Sequence, residues 1–314
     1  MEALSRIEDI AFVRFAAPDL NEMRRFLEDF GLAPLDQGGL LYGVGRDGAP
    51  FLHATEQGEP AFRGLGLRAA NVADLEHLAA AEGVAVEPFD APGGGHVVRL
   101  RDPDGFLVEV VAGQAWGEPA IVGPAPLNTA AHHARLRETV RVAPGPASVM
   151  RLGHCVLSVS NFRASEAWYK ERFGFITSDE IEAMPGVAIG AFMRCDRGDR
   201  PTDHHTLFLL QGPAGPGFNH AAFEVTGLDD LMAGHAHLEA RGRRQAWGVG
   251  RHKLGSQIFD YWKDPWGHEL EHWTDGDLFT AADPSNKATL GDLLGVQWGQ
   301  PFPGMSGANQ GENA

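Results

Sequence analysis

A chain of 314 residues, 43% hydrophobic and 22% charged, is long enough for two domains with proper cores. Its 26 basic and 42 acidic residues leave a formal charge of −16, with no cationic stripe for a nucleic-acid backbone or an anionic membrane. Two cysteines, Cys155 and Cys195, are too few for a disulfide scaffold. No apolar run approaches the ~20 residues of a membrane span. The opening MEALSRIEDI lacks the basic-then-apolar pattern of a secretion signal, so a soluble cytoplasmic protein is expected.

In chain order, 10–15 reads as a strand and 19–30 as a helix, with Leu20, Met23, Phe26, Leu27 and Phe30 at helical spacing and Gly31 closing it. Strands are expected at 40–44, 50–54 and 65–70, and a second helix at 72–82. A closing hairpin then runs from 96–100 through the turn Asp102-Pro103-Asp104-Gly105 to 106–111. A Pro- and Ala-rich linker with a short basic helical piece is expected at 117–148. The same order then recurs: strand 152–159, helix 163–172, strands 188–193, 206–210 and 219–225, helix 228–240, strand 257–262, a turn at 264–267 and strand 268–273. Phe30-Gly31 against Phe173-Gly174, and DPDGFLVE against DPWGHELE, mark an internal duplication of a roughly 120-residue unit. The expected division is an N-terminal domain at 1–116 without metal, the linker, a C-terminal catalytic domain at 149–280 and a tail at 281–314, disordered over 307–314.

The chemistry-bearing side chains concentrate in 250–273, GRHKLGSQIFDYWKDPWGHELEHW. Strand alternation sets Glu269 and Glu271 on one face and Leu270 and His272 on the other. His252 and Tyr261 add an imidazole and a phenol, and His154 and His220 upstream are natural partners of the carboxylate. With the halves superimposed on their anchors, His154 falls opposite Ala11, His220 opposite roughly Gly64, and Glu271 opposite Glu109. The first half thus keeps the carboxylate and lacks both imidazoles. Taken singly, each histidine reads as a strand residue with a satisfied hydrogen bond. Together, on the inward face of three core strands, His154, His220 and Glu271 predict a facial triad that leaves three metal positions open. Such a triad suits Fe(II), with Mn(II) as the alternative. Glu271 is preferred over Glu269 because its counterpart is Glu109, whereas 269 matches Leu107. Cys155 alternates away from His154 into the core, His235 and His237 read as surface residues, and His132 and His133 have no role.

These residues make the second half resemble the type I extradiol ring-cleavage dioxygenases of the vicinal oxygen chelate superfamily. The signature is met at Gly250-Arg251-His252, Tyr261, Asp264-Pro265-Trp266-Gly267 and Glu271, and the resemblance spans roughly residues 7 to 279. It departs at Asp260, where the family usually has an apolar residue. The resemblance implies an α+β fold of two tandem domains, each a pair of βαβββ modules, with the metal in the C-terminal one. It implies His154, His220 and Glu271 as ligands and His205 as acid–base catalyst beside dioxygen, with His204 turned away. His252 and Tyr261 would hydrogen-bond the oxygens of a catecholic substrate. The implied reaction inserts both atoms of O2 next to the hydroxyls to give a muconic semialdehyde-type product in aromatic degradation, by a homo-oligomeric enzyme. Trp247, Phe192, Met184, Trp262 and Trp266 are candidates for an aromatic pocket or its surroundings, and Arg251 and Arg243 for meeting a polar ring substituent. The segment 290–298 reads as an interface tail. Competing readings are a metal-dependent glyoxalase or epimerase and a non-catalytic binder of the bleomycin-resistance kind.

Overall fold

The computed structural model describes residues 3–120 and 123–303. The stretch 307–314, expected to be disordered, lies outside the described residues. The first half runs β1 (Ile7–Ala17), α1 (Leu20–Phe30), β2 (Ala33–Gln37), β3 (Leu40–Val44), β4 (His53–Gln57), then β5 (Ala61–Ala69), α2 (Val72–Glu82), β6 (Glu87–Pro88), β7 (His96–Arg101) and β8 (Leu107–Ala112). The second half runs β9 (Val149–Ser158), α3 (Phe162–Phe173), β10 (Ile176–Met184), β11 (Val187–Arg194), β12 (Thr202–Asp203) and β13 (Leu207–Leu210). It continues with β14 (Gly217–Val225), α4 (Leu228–Ala240), β15 (Arg244–His252), β16 (Ile258–Lys263), β17 (Glu269–Thr274) and β18 (Leu278–Phe279). The tail adds β19 (Asn286–Thr289), α5 (Leu290–Leu293) and β20 (Val296–Gly299). Each half is thus a pair of βαβββ modules, as expected, forming an α+β fold. No helix among the described residues is long and apolar enough to cross a membrane.

Helix boundaries follow local chemistry. Asp19 caps α1 by accepting from the backbone N–H of Asn21 and Glu22, and Asn71 and Asn161 cap α2 and α3 in the same way. Gly31 ends α1 at φ +100, and a Cβ there would lie 2.1 Å from the carbonyl oxygen of Ala147. Glycine therefore serves both the left-handed cap and the close approach of the returning chain.

The two modules of each half join through their first strands. β1 pairs antiparallel with β5 inside an eight-stranded sheet ordered β2-β3-β4-β1-β5-β8-β7-β6. β9 pairs antiparallel with β14 inside a ten-stranded sheet whose duplicated part is ordered β10-β11-β13-β9-β14-β17-β16-β15, with β19 and β20 added at its edges. Helices cover one side of the sheets, and the main core of both halves lies between them, from Phe26 and Phe30 through Tyr169 and Phe173 to Leu231 and Leu238. The halves are joined there by Tyr169 Oη donating to Asp102 (3.1 Å) and His272 Nε2 donating to the carbonyl of Phe30 (2.8 Å). Arg241 and Arg243 also hold the carboxylate of Asp29.

Two expectations are corrected. Among its described residues the linker contains no helical piece and is largely exposed, with a single bridge between Asn128 and His133, because a short helix with no packed face does not hold by itself. Within the chain, the 290–298 segment forms α5 and β20, the latter extending the sheet beside β15, and Leu293 lines the cavity described below. His235 and His237 are not plain surface residues, since each faces a carboxylate, Asp260 Oδ2 at 3.1 Å and Asp29 Oδ1 at 3.4 Å.

Candidate metal centre

β14 lies between β9 and β17, so its residues are in register with both. Ala222 pairs with His154 on one side and Glu271 on the other. His220, two residues earlier on β14, emerges on the same face. The Nε2 atoms of His154 and His220 both lie 3.4 Å from Glu271 Oε2, and the three ligand atoms fall within 4.8 Å of one another. Glu271 is fully buried and neither carboxylate oxygen has a hydrogen-bond partner. An unpaired buried carboxylate is costly, and a bound cation is the usual remedy.

The electrostatics of the set point the same way. Burial lowers His154 to about 3, and burial lowers His220 to about 4 against the pull of Glu271. Burial also raises Glu271, opposed by His220 and His252. Both imidazoles are therefore neutral near pH 7 and offer lone pairs. Asn219 Oδ1 accepts from His220 Nδ1 at 2.8 Å, which leaves Nε2 as the lone-pair nitrogen.

His154 and His220 line a cavity of about 330 Å³, with Glu271 buried between them. Tyr261 faces Glu271 across the β16–β17 ladder, and its hydroxyl lies 3.0 Å from His252 Nε2. The His252 ring stacks on Phe259 at 4.1 Å, and burial lowers its imidazole to about 4. Burial, then the charge of Glu271, holds the Tyr261 phenol well above its ordinary value. His205 lines the cavity with its ring centroid 3.9 Å from that of His154 and 4.7 Å from that of Phe192, and burial keeps it well below 6.5. His204 faces away from the cavity, toward Asp179. Trp247 and Phe192 line the cavity.

Other pocket candidates lie elsewhere. Met184 is 61% exposed at the end of β10, and Trp262 is buried on the opposite face of β16, where its indole donates to Asp260 (2.6 Å). Trp266 packs on the main core. Arg251 and Arg243 are engaged by Asp275 and by Asp29 with Glu22, so neither meets the cavity. Glu269 reaches the cavity but is held by Lys263 at 3.2 Å. Asp260, the departure from the family pattern, also points away from the site, to His235 and Trp262. Sequence reasoning missed Val156, Phe208, Leu210 and Leu254 in the cavity wall, and Leu293 and Phe302 from the tail. Alternation marks the first three as inward, but nothing local shows that the tail returns. A larger surface cleft of about 820 Å³ beside α3 is lined by Arg163, Glu166 and Lys170, which are already paired with one another, and it gathers no comparable donor set.

The chain matches a sequence family described as the Glyoxalase/Bleomycin resistance protein/Dioxygenase superfamily over residues 9–110 and 151–272, once in each half. It is 29% identical to metapyrocatechase 2 of Cupriavidus necator, covering 95% of this chain and 90% of that one. It is 26% identical to an iron-dependent extradiol dioxygenase of Rhodococcus jostii, covering 86% and 90%. Among solved structures, the Mn(II)-bound glyoxalase from Novosphingobium aromaticivorans superimposes with a TM-score of 0.77 at 24% identity, covering 96% of this chain and 94% of that one. At that identity the likeness speaks for the fold.

Proposed function

The chain belongs to the Glyoxalase/Bleomycin resistance protein/Dioxygenase superfamily, and from that premise we propose that it is an extradiol ring-cleaving dioxygenase acting on a catechol-type vicinal diol with O2. The observation that carries the reading is the buried, unpartnered carboxylate of Glu271 between two neutral imidazoles, beside a phenol–imidazole pair and a further buried imidazole. His154, His220 and Glu271 would hold a divalent metal. Fe(II) is preferred, and Mn(II) suits the same donors. When bound, the metal supplies Lewis acidity toward both diol oxygens and an electron path between the ring and dioxygen.

The chain's own side chains supply the rest. His252 Nε2 and the Tyr261 hydroxyl, 3.0 Å apart, form a hydrogen-bonding pair for the substrate oxygens, and the imidazole can take the proton that the second hydroxyl gives up. His205, neutral at physiological pH, can take up a proton at its cavity-facing ring nitrogen and return it to an oxygen of the reacting pair. Val156, Phe192 and Phe208 wall the cavity with apolar surface and exclude water from the reacting oxygens. Lys263, a cation of the lining, is paired with Glu269. This favours catechols with alkyl or aryl substituents over those bearing a carboxylate. The C-terminal half is thereby the catalytic domain, and cytoplasmic location, homo-oligomeric assembly and a role in aromatic degradation go with the reading.

The test is oxygen uptake by anaerobically Fe(II)-loaded protein across a panel of catechols, with visible absorbance followed in parallel. Uptake matched by a new yellow chromophore is the expected result. One bound metal per chain with no uptake for any diol would move the reading to a metal-dependent isomerase, and no bound metal would remove the site.

A further inference from the structure

Behind His205, away from the triad, two buried side chains continue in line. His204 Nδ1 lies 3.0 Å from His205 Nδ1, and His204 Nε2 lies 2.6 Å from Asp179 Oδ2. His204 is 1% exposed and Asp179 is 7% exposed. Asp179 sits on β10 and His204 just before β13, so strands from separate parts of the second half bring them together. The backbone around the pair is fixed as well. Ser178 Oγ donates to the carbonyl of His204 at 2.6 Å, and Arg194 Nη1 donates to Ser178 Oγ at 2.9 Å. His204 N donates to the carbonyl of Asp277, and Phe279 packs on the imidazole.

We propose that His204 and Asp179 are positioning residues that set the tautomer and ring orientation of His205. The inference rests on the reading of His205 as the residue that handles the proton. With His204 neutral, donor and acceptor capacity fixes where the hydrogens sit. A carboxylate only accepts, so the 2.6 Å contact requires His204 Nε2 to carry the hydrogen. In a neutral His204 the other nitrogen, Nδ1, is then an acceptor. The 3.0 Å contact therefore requires His205 Nδ1 to carry the hydrogen and donate it. That leaves Nε2 of His205 as a lone pair, so the imidazole lining the cavity starts as a base with its ring held by a hydrogen bond from behind. A carboxylate that holds an imidazole in one tautomer is the logic of the serine-protease triad, here extended through a second imidazole. None of these groups touches substrate except His205.

The experiment is histidine 15N NMR on the full chain without metal, together with steady-state kinetics of the Fe(II)-loaded protein and its Asp179→Asn and His204→Gln variants. Expected in the wild type is His205 protonated at Nδ1 and unprotonated at Nε2. Asp179→Asn, which offers a donor as readily as an acceptor, should mix or invert both tautomers. It should lower kcat on the order of 10²-fold while KM for the diol and metal content change little. His204→Gln, whose amide oxygen can still accept from His205, should recover part of that loss. A wild-type His205 protonated at Nε2 would overturn the proposal even if a variant failed to fold, and so would an unchanged kcat in Asp179→Asn. Failure of the dioxygenase reading has a different signature, because wild-type protein would then consume no oxygen whatever tautomer the spectrum shows.

Discussion

Glu109 and Glu271 occupy the same place in the two halves and keep opposite company. β5 and β8 set Gly66 opposite Glu109, as β14 and β17 set Ala222 opposite Glu271. Around Glu271 stand two imidazoles and a phenol, with an open cavity above. Around Glu109 the same positions carry Phe12 for His154, Gly64 for His220, Arg14 for Val156 and Arg99 for Tyr261. Both guanidinium groups bond the Glu109 carboxylate, Arg99 at 3.0 Å. Phe12 packs with Tyr42, Phe51 and Phe89 to fill the corresponding space, and Gly66 admits it, since a Cβ there would lie 2.4 Å from the Phe12 ring. One scaffold thus gives a buried carboxylate two kinds of company, fixed internal cations around Glu109 and neutral imidazoles that could hold an external cation beside Glu271.

The largest effect should come from breaking the active-half arrangement. Glu271→Ala or His154→Ala should abolish stoichiometric metal binding and reduce kcat/KM by about 10³-fold or more, about 4 kcal/mol at 1.36 kcal/mol per decade. Metal analysis beside oxygen uptake checks this. In the other half, Phe12→Ala should cost about 3–5 kcal/mol of stability through the cavity it leaves, measured by denaturant unfolding, with one metal per chain retained. Glu109→Gln should cost less, about 2–3 kcal/mol. It leaves Arg14 and Arg99 uncompensated, but the Arg99 side chain is 41% exposed and partly solvated. Phe12→His should not create a second metal site, because Arg14 and Arg99 still neutralise Glu109; metal stoichiometry above one would contradict this.

A finer contrast concerns Tyr261, whose counterpart is Arg99. Tyr261→Phe removes the hydroxyl facing His252 and should lower kcat about 10- to 100-fold while metal content stays at one, separating proton handling from metal binding. The smallest effect is one of pH. A hydrogen bond to buried Asp260 raises the His235 imidazole above 6.5. A histidine raised in the folded state adds stability that is full below its unfolded value and is lost as pH rises through the folded one. Wild-type stability should therefore fall, relative to His235→Gln, by less than about 1 kcal/mol on going from pH 6 to pH 9. A parallel pair of Tm–pH curves would contradict this.

Much of this was legible along the chain. The helices α1 to α4, the Asp-Pro-x-Gly turns and the duplication depend on contacts a few residues apart, and capping and alternation report those directly. The misalignment of His154 with Ala11 shows where such reading stops. The register places His154 opposite Phe12, because α3 has twelve residues where α1 has eleven, so superimposing the Phe-Gly helix ends shifts the preceding strands by one. One added helical residue leaves the caps and the apolar stripe intact, so nothing local marks it. The tail's return to the cavity was equally invisible, since Phe302 reaches it from beyond the last strand of the repeat. So was Asp179, whose partner His204 lies on a different strand path.

The sequence by itself determined the repeated modules, their caps and turns, and the inventory of imidazoles, phenol and carboxylate, because those follow from residue type and short-range spacing. Only the tertiary structure decided which half stays open, which ring stands behind His205, and what grips each glutamate. Those outcomes depend on strand register and on side chains brought together from separate strands, such as Arg14 with Glu109 and Asp179 with His204.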